Sequence, residues 1–144
     1  MQIKKTASTI WNGGLKDGRG AISTESGQLK SVPFDFNTRF EGVKGSNPEE
    51  LIGAALSACF SMALSAELGK QNITADSIEA KAEVLLEKTD SGFNIPSIHL
   101  AVNAIAPGID QAAFITAAET TKKNCPVSKV LKANITLEAH LKNS

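Results

Sequence analysis

Ser46-Asn47-Pro48-Glu49-Glu50-Leu51-Ile52-Gly53-Ala54-Ala55-Leu56-Ser57-Ala58-Cys59-Phe60-Ser61-Met62-Ala63-Leu64-Ser65-Ala66-Glu67-Leu68-Gly69 is the stretch whose conformation organises everything around it. Asn47 suits an N-cap, Pro48 the first helical position, and Glu50 the partner in a capping box. A helix therefore starts at Pro48 and is expected to run to about Leu68, with Gly69 as a left-handed stop. Glu50 and Glu67 bracket a run with no charged residue, too short for a typical membrane span and apolar on nearly every side. That pattern predicts a central helix buried all round.

Beyond this helix, Ile78, Ala80, Ala82, Val84 and Leu86 alternate with mostly charged residues. Asp90-Ser91-Gly92 then turns the chain into a second run with Ile98, Leu100, Val102 and Ala104 on one face, a long hairpin. Asp110 can cap a helix from Gln111 to about Lys123, which should end near Cys125 because the residue before Pro126 disfavours helical geometry. A short helical piece follows Pro126, and Ile135, Leu137, Ala139 and Leu141 mark a closing strand. Before the central helix, Lys4–Trp11 and Arg19–Thr24 read as strands. Phe34, Phe36, Thr38 and Phe40 alternate with Asp35, Asn37, Arg39 and Glu41, predicting a third strand with Arg39 pointing away from the phenylalanines. The sum is one α+β domain, residues 1–144, with antiparallel sheets around a long buried helix.

With 42% hydrophobic residues among 144, the chain can fill a core without a metal or disulfide staple. Its 15 basic and 15 acidic residues cancel, so the electrostatic footprint of a nucleic-acid or anionic-membrane binder is missing. The first residues carry no apolar run of the secretory kind, which makes the cytoplasm the expected location. In that reducing compartment the two cysteines, Cys59 and Cys125, are core residues or chemical groups rather than a structural disulfide.

Cys59 sits among alanines and serines, where a thiol ordinarily packs as a small hydrophobe. For it to react, its pKa must be lowered by a cation, because it lies too far from the helix start for the dipole to help. Glu49 falls about 80° from Cys59 around the helix, at about 100° per residue, so a carboxylate shares the cysteine's side. By itself Glu49 would only complement the helix dipole. Arg39, permanently charged, is the candidate cation, able to bridge Glu49 and the sulfur with its planar fork. Its simpler alternative is a solvated arginine paired with Asp35 or Glu41. Cys125 stands at an N-cap-like position before Pro126, where amides can favour a thiolate, or it merely ends a helix. His99 and His140 lack any local spacing with the cysteines that would indicate zinc.

The segments Phe36-Asn37-Thr38-Arg39-Phe40-Glu41-Gly42, Gly45-Ser46-Asn47-Pro48-Glu49-Glu50-Leu51, Ser57-Ala58-Cys59-Phe60-Ser61-Met62 and Cys125-Pro126-Val127-Ser128 resemble those of the osmotically inducible protein C (OsmC) family, and the likeness spans essentially the whole chain. The resemblance implies that Cys59 is the peroxide-reactive thiol, that Cys125 resolves it as a disulfide, and that Arg39 and Glu49 hold the reactive thiolate. It also implies an intertwined homodimer in which the Arg39 segment of one subunit reaches the cysteines of the other. The sister branch, the organic hydroperoxide resistance proteins, takes its arginine from a Gly-Gly-Arg turn. Here that turn reads Gly13-Gly14-Leu15-Lys16, which favours Arg39, with Arg19 the other candidate.

The expected function is thus reduction of organic hydroperoxides, and less readily of hydrogen peroxide, by a thiol enzyme in stress defence. It needs no metal or prosthetic group, and an external thiol such as a dihydrolipoyl group regenerates it. Leu56, Phe60 and Met62 are candidates to line a pocket for the organic tail, or else core residues. A small apolar or acyl ligand-binding module with inert cysteines is the alternative. A thiol-disulfide oxidoreductase acting on proteins is a third reading, weakened by the absence of a Cys-x-x-Cys motif.

Overall fold

The computed structural model describes residues 1–143, which gather into two compact units, one from Met1 to Leu51 and one from Ile52 onward. In the first, β1 (Ala7–Asn12), β2 (Arg19–Thr24) and β3 (Val32–Phe34) form an antiparallel meander in that order. Gly20 on β2 is required by close approach. A Cβ there would run into the Phe34 ring and fall 2.8 Å from that of Trp11, two rings whose centroids lie 5.5 Å apart.

The expected strand through Phe34–Glu41 does not form. The chain leaves β3 at Phe34 and enters a short helix, α1 (Phe36–Phe40). Asp35 caps it: the carboxylate accepts from the Thr38 N–H at 2.9 Å, and the Thr38 hydroxyl accepts from the Asp35 N–H at 3.0 Å. A spacing of two residues, repeated, contains a spacing of four, and here the second of these is used. Phe36 and Phe40 stack on the helix with centroids 4.8 Å apart.

The long helix α2 spans Pro48–Gly69, with the Asn47 side chain accepting from the Glu50 N–H at 2.8 Å as its sequence predicts. Its end differs from expectation. Gly69 is the last helical residue, and the left-handed position falls at Asn72, φ 59°, inside a turn closed by Ile73 N–H donating to Leu68 O at 3.1 Å.

The second unit is built on a sheet in the order β4–β7–β8. β4 (Ser77–Val84) and β7 (Ser97–Ile105) are the predicted hairpin, extended at its tip by the small ribbon of β5 (Glu87–Thr89) and β6 (Gly92–Asn94). α3 (Gln111–Asn124) begins at Asp110, whose side chain accepts from the Ala113 N–H at 2.8 Å, and α4 (Pro126–Val130) follows at once. β8 (Asn134–Leu141) then pairs parallel to β7, so the sheet is mixed rather than antiparallel throughout. The helical crossover makes this possible, since a parallel neighbour needs a connection long enough to carry the chain back along the sheet. On the free edge of β8, the Gln111 side chain donates to Ala139 O at 3.1 Å and accepts from the Leu141 N–H at 2.8 Å, standing in for a further strand.

One face of this sheet is the core. Ile98, Leu100, Val102 and Ala104 of β7 meet Leu56, Phe60, Leu64 and Leu68 of α2, with Phe114 and Ala118 of α3 closing it. Gly53 lets α2 approach β4, its missing Cβ lying 3.4 Å from Ala82 O. By length and composition α2 is apolar enough to cross a membrane, but its leucines and Phe60 form a spine at a spacing of four that packs into this core. The expectation of burial on every side fails within a single chain. Ala54, Ala55, Ala58, Met62 and Ala66 are exposed, Met62 by 77%.

Candidate active site

Two pairs of the residues singled out in the sequence meet, one in each unit. In the first unit, Arg39 Nη2 lies 2.8 Å from Glu49 Oε1, and Nε is 3.2 and 3.3 Å from the two carboxylate oxygens. Glu49 is 8% exposed, so its charge has exchanged water for this forked pair. The Arg39 guanidinium carbon also lies 5.2 Å from the centre of the Phe40 ring. Arg39 therefore packs against one of the phenylalanines from which strand geometry would have turned it away. Because α1 replaces the strand, the arginine comes off a helical turn, and Asp35 sets that turn.

Arg19, the other candidate cation, is exposed and lies 3.7 Å from the second Asp35 oxygen. Beside Arg39 the structure shows a cavity of about 300 Å³ that the sequence reading missed, lined by Trp11, Leu15, Phe34, Phe36 and Phe40. The expected pocket residues lie elsewhere: Leu56 and Phe60 are fully buried core, and Met62 faces outward. The alternating phenylalanines were a signal for this cavity, but only the switch from strand to helix shows which of them face one another.

In the second unit the sulfurs of Cys59 and Cys125, 66 residues apart in sequence, approach to 2.8 Å. α2 presents Cys59 half-buried at the margin of the core, and the α3–α4 junction presents Cys125 fully buried. That junction is local in origin. The Cys125 N–H closes α3 by donating to Thr121 O at 2.8 Å, its ψ of 125° is the extended geometry that proline imposes, and Pro126 opens α4.

The thiols titrate as a pair. Burial pushes Cys59 up, the hydrogen bond with Cys125 pushes it further, and the Val127 amide pulls it back in part. Burial also raises Cys125, but the hydrogen bonds that its thiolate would take from the Cys59 thiol, the Ser128 amide and hydroxyl and the Val127 amide outweigh it, so Cys125 ends below the ordinary thiol range. Loss of one proton leaves the Cys59 S–H donating to a Cys125 thiolate. Cys59, the more accessible sulfur, is thus the less acidic of the two. The chemistry open to such a pair is two-electron oxidation to a disulfide and reduction back to thiols.

His99 Nδ1 is 2.7 Å from Thr136 Oγ1 on the sheet surface, and no cluster of three His, Cys, Asp or Glu side chains that could hold a metal ion occurs among the described residues.

The family model described as OsmC-like protein matches residues 41–140. Peroxiredoxin OsmC of Escherichia coli strain K12 is 52% identical over 143 residues, covering 99% of this chain and all of that protein. Organic hydroperoxide resistance protein OhrB of Bacillus subtilis is 33% identical over 124 residues, which is 85% of this chain and 89% of the other. The crystal structure of that OhrB superposes with a TM-score of 0.71 at 31% identity, covering 95% of this chain and 98% of its own. An OsmC-like protein of Vibrio cholerae shares the fold with a TM-score of 0.75 at 15% identity, over 96% and 99% of the two chains. Since the OsmC-like family model matches residues 41–140 and a peroxiredoxin OsmC is 52% identical over 99% of this chain, the chain belongs to the OsmC family.

Proposed function

We propose that this protein is a cysteine-dependent peroxidase that reduces organic hydroperoxides, and hydrogen peroxide less readily, in stress defence. The observation that carries the reading is the 2.8 Å approach of the Cys59 and Cys125 sulfurs. The names of the relatives, a peroxiredoxin and organic hydroperoxide resistance proteins, support it. So does the aromatic cavity beside Arg39, whose apolar walls suit a hydrocarbon tail better than hydrogen peroxide. Since the relative from Escherichia coli aligns over 99% of the chain, we read residues 1–144 as one functional domain.

In the first step the Cys59 thiolate attacks the distal peroxide oxygen. The S–O bond forms as the O–O bond breaks, and the alkoxide leaves with the electron pair and takes a proton to become the alcohol. Cys125 then attacks the sulfur of the Cys59 sulfenic acid; the S–S bond forms, the S–O bond breaks, and hydroxide leaves to become water. One hydroperoxide and two thiols yield an alcohol, water and a disulfide. An external thiol, such as a dihydrolipoyl group, returns the disulfide to two thiols by exchange.

Arg39, held by Glu49, is the cation assigned to the Cys59 thiolate, and we place it on a second copy of the chain. The exposed apolar face of α2 supports that assembly, because a helix with alanines and Met62 turned outward is better buried against another such surface. Two free thiols used in catalysis suit the reducing cytoplasm.

The test is a single turnover with cumene hydroperoxide followed by intact mass. The wild type is expected to lose two hydrogens, Cys59→Ser to lose all turnover with its far-ultraviolet dichroism retained, and Cys125→Ser to gain oxygen on Cys59. Turnover retained in Cys59→Ser would overturn the reading. A wild type that gains oxygen as Cys125→Ser does would reduce it to a one-cysteine mechanism.

A further inference from the structure

Ser128 sits three residues after Cys125, in the first turn of α4. Its hydroxyl oxygen is fully buried and has no hydrogen-bond partner, the only such side-chain oxygen or nitrogen among the described residues. A buried hydroxyl left unpaired has lost its water without recovering a hydrogen bond, so an orphan of this kind asks for an explanation in a state other than the one at hand. The surroundings supply one. Cys125 occupies the N-cap of α4, the position whose side chain normally accepts from the amide three residues on, yet its sulfur makes no capping hydrogen bond. A neutral thiol is a weak acceptor, whereas a thiolate is an anion with several lone pairs. Ionising Cys125 creates an acceptor beside both the orphan hydroxyl and the unfilled cap.

We infer that Ser128 is a further functional residue of the peroxidase cycle: its hydroxyl donates to the Cys125 thiolate and so sets the rate at which Cys125 attacks the Cys59 sulfenic acid. This rests on the reading of Cys59 and Cys125 given above and deepens it. In the thiol state the sulfur is a weak acceptor and the hydroxyl makes no hydrogen bond, which is the state in which it is found orphaned. In the attacking state the sulfur carries the negative charge. The hydroxyl, which the low dielectric makes worth more than in water, then lowers the cost of that charge. As the S–S bond forms, the charge passes to the departing hydroxide and the hydrogen bond is released. The shift of Cys125 below the ordinary thiol range, to which the Ser128 hydroxyl and amide both contribute, runs in the same direction. Pro126 and Val127 could not substitute for it, since neither side chain carries a donor.

The experiment separates the two chemical steps in the full-length protein. Stopped-flow mixing with one equivalent of cumene hydroperoxide, followed by quenching with a sulfenic-acid trap and intact mass, reads Cys59 oxidation and disulfide formation independently. In Ser128→Ala, disulfide formation below the midpoint should be roughly two- to threefold slower, because the loss of thiolate outweighs the gain in nucleophilicity of a more basic sulfur, and the pH midpoint should move upward. Excess hydroperoxide should then drive Cys59 to sulfinic acid before resolution. Ser128→Thr, which keeps the hydroxyl, should restore the wild-type rate and midpoint, which a purely structural defect would not allow. A second readout needs no turnover: in a Cys59→Ser background, the ultraviolet absorbance of the thiolate should titrate at higher pH once Ser128 is also alanine. Ser128→Ala that forms the disulfide at the wild-type rate with an unmoved midpoint overturns the inference while leaving the peroxidase standing. A wild type that consumes no hydroperoxide overturns both.

Discussion

Cys59 and Cys125 illustrate how two identical side chains acquire different work. Cys59 is reachable but pushed up by burial, and Cys125 is buried but drawn below the ordinary thiol range by the hydrogen bond from Cys59 and by the turn that follows it. The consequence for stability has a definite sign. The reduced native pair gives up its first proton below the ordinary thiol range and its second above it. As pH rises toward that range the unfolded chain therefore binds more protons than the native one, and stability increases. Beyond the range the native chain binds more, and stability falls. Urea titrations of the reduced protein across this interval should show a maximum near the ordinary thiol pKa that is absent from a variant with both cysteines replaced by serine. A monotonic curve for the reduced wild type would contradict the shared-proton description.

At the same scale, Arg39→Met removes the cation assigned to Cys59 and leaves the Glu49 carboxylate buried without its partner. The expected result is an upward shift of the pH–rate midpoint for peroxide consumption, with a loss of stability of about 1–3 kcal/mol from the orphaned carboxylate. An unmoved pH–rate profile would direct attention to Arg19 instead.

Among the elements, α1 has an influence out of proportion to its five residues. It exists because Asp35 and Thr38 satisfy one another's backbone amides, and it is what brings the Arg39 side chain to Glu49 while stacking it on Phe40. Asp35→Ala should therefore cost about 1 kcal/mol in urea unfolding, as the loss of an N-cap does, and should lower the peroxidase rate by loosening Arg39. Asp110→Ala provides the control. It removes the equivalent cap from α3 at a similar cost in stability, and since Cys125 stands at the opposite end of α3 from that cap, the rate per folded molecule should hold. If both variants lose activity equally, α1 has no special role.

For the whole molecule, the decisive feature is that α2 is dressed for burial on two sides while one chain covers only one. Its Leu56–Phe60–Leu64–Leu68 spine is buried in the core, and its alanine face with Met62 is open. The homodimer proposed above would cover that face. Met62→Glu places a charge on it and should convert the dimer to monomer in light scattering at micromolar concentration, since leaving a methionine side chain unburied forfeits about 1.5–3 kcal/mol per copy before the charge is counted. Far-ultraviolet dichroism should be retained because the core spine is untouched. If the wild type is itself monomeric, Arg39 must reach Cys59 by some route within one chain.

The sequence by itself determined the starts of α2 and α3, the hairpin of β4 and β7, the closing strand, and the residues that carry the family likeness. Each of these is written in neighbours a few residues apart: Asn47 before Pro48, Asp110 before Gln111, and apolar residues at every second place along a strand. It also brought Arg39 to Glu49 and, through the family likeness, Cys125 to Cys59, and the side chains of each of these pairs meet.

Tertiary structure decided what those local rules leave open. Phenylalanines two apart fit a strand and a helix alike, and the reciprocal cap of Asp35 and Thr38 chose the helix. The direction of β8 is absent from its alternation, because a strand reads the same whichever way its neighbour runs; the crossover through α3 and α4 made it parallel. An all-apolar helix announces that it wants burial but not how much of it one chain supplies. The burial of the Ser128 hydroxyl oxygen, and the meeting of two sulfurs 66 residues apart, follow from packing α2 and the α3–α4 junction against one sheet. No spacing along the chain encodes such a distance, since it is set by how side-chain volumes fill a shared core.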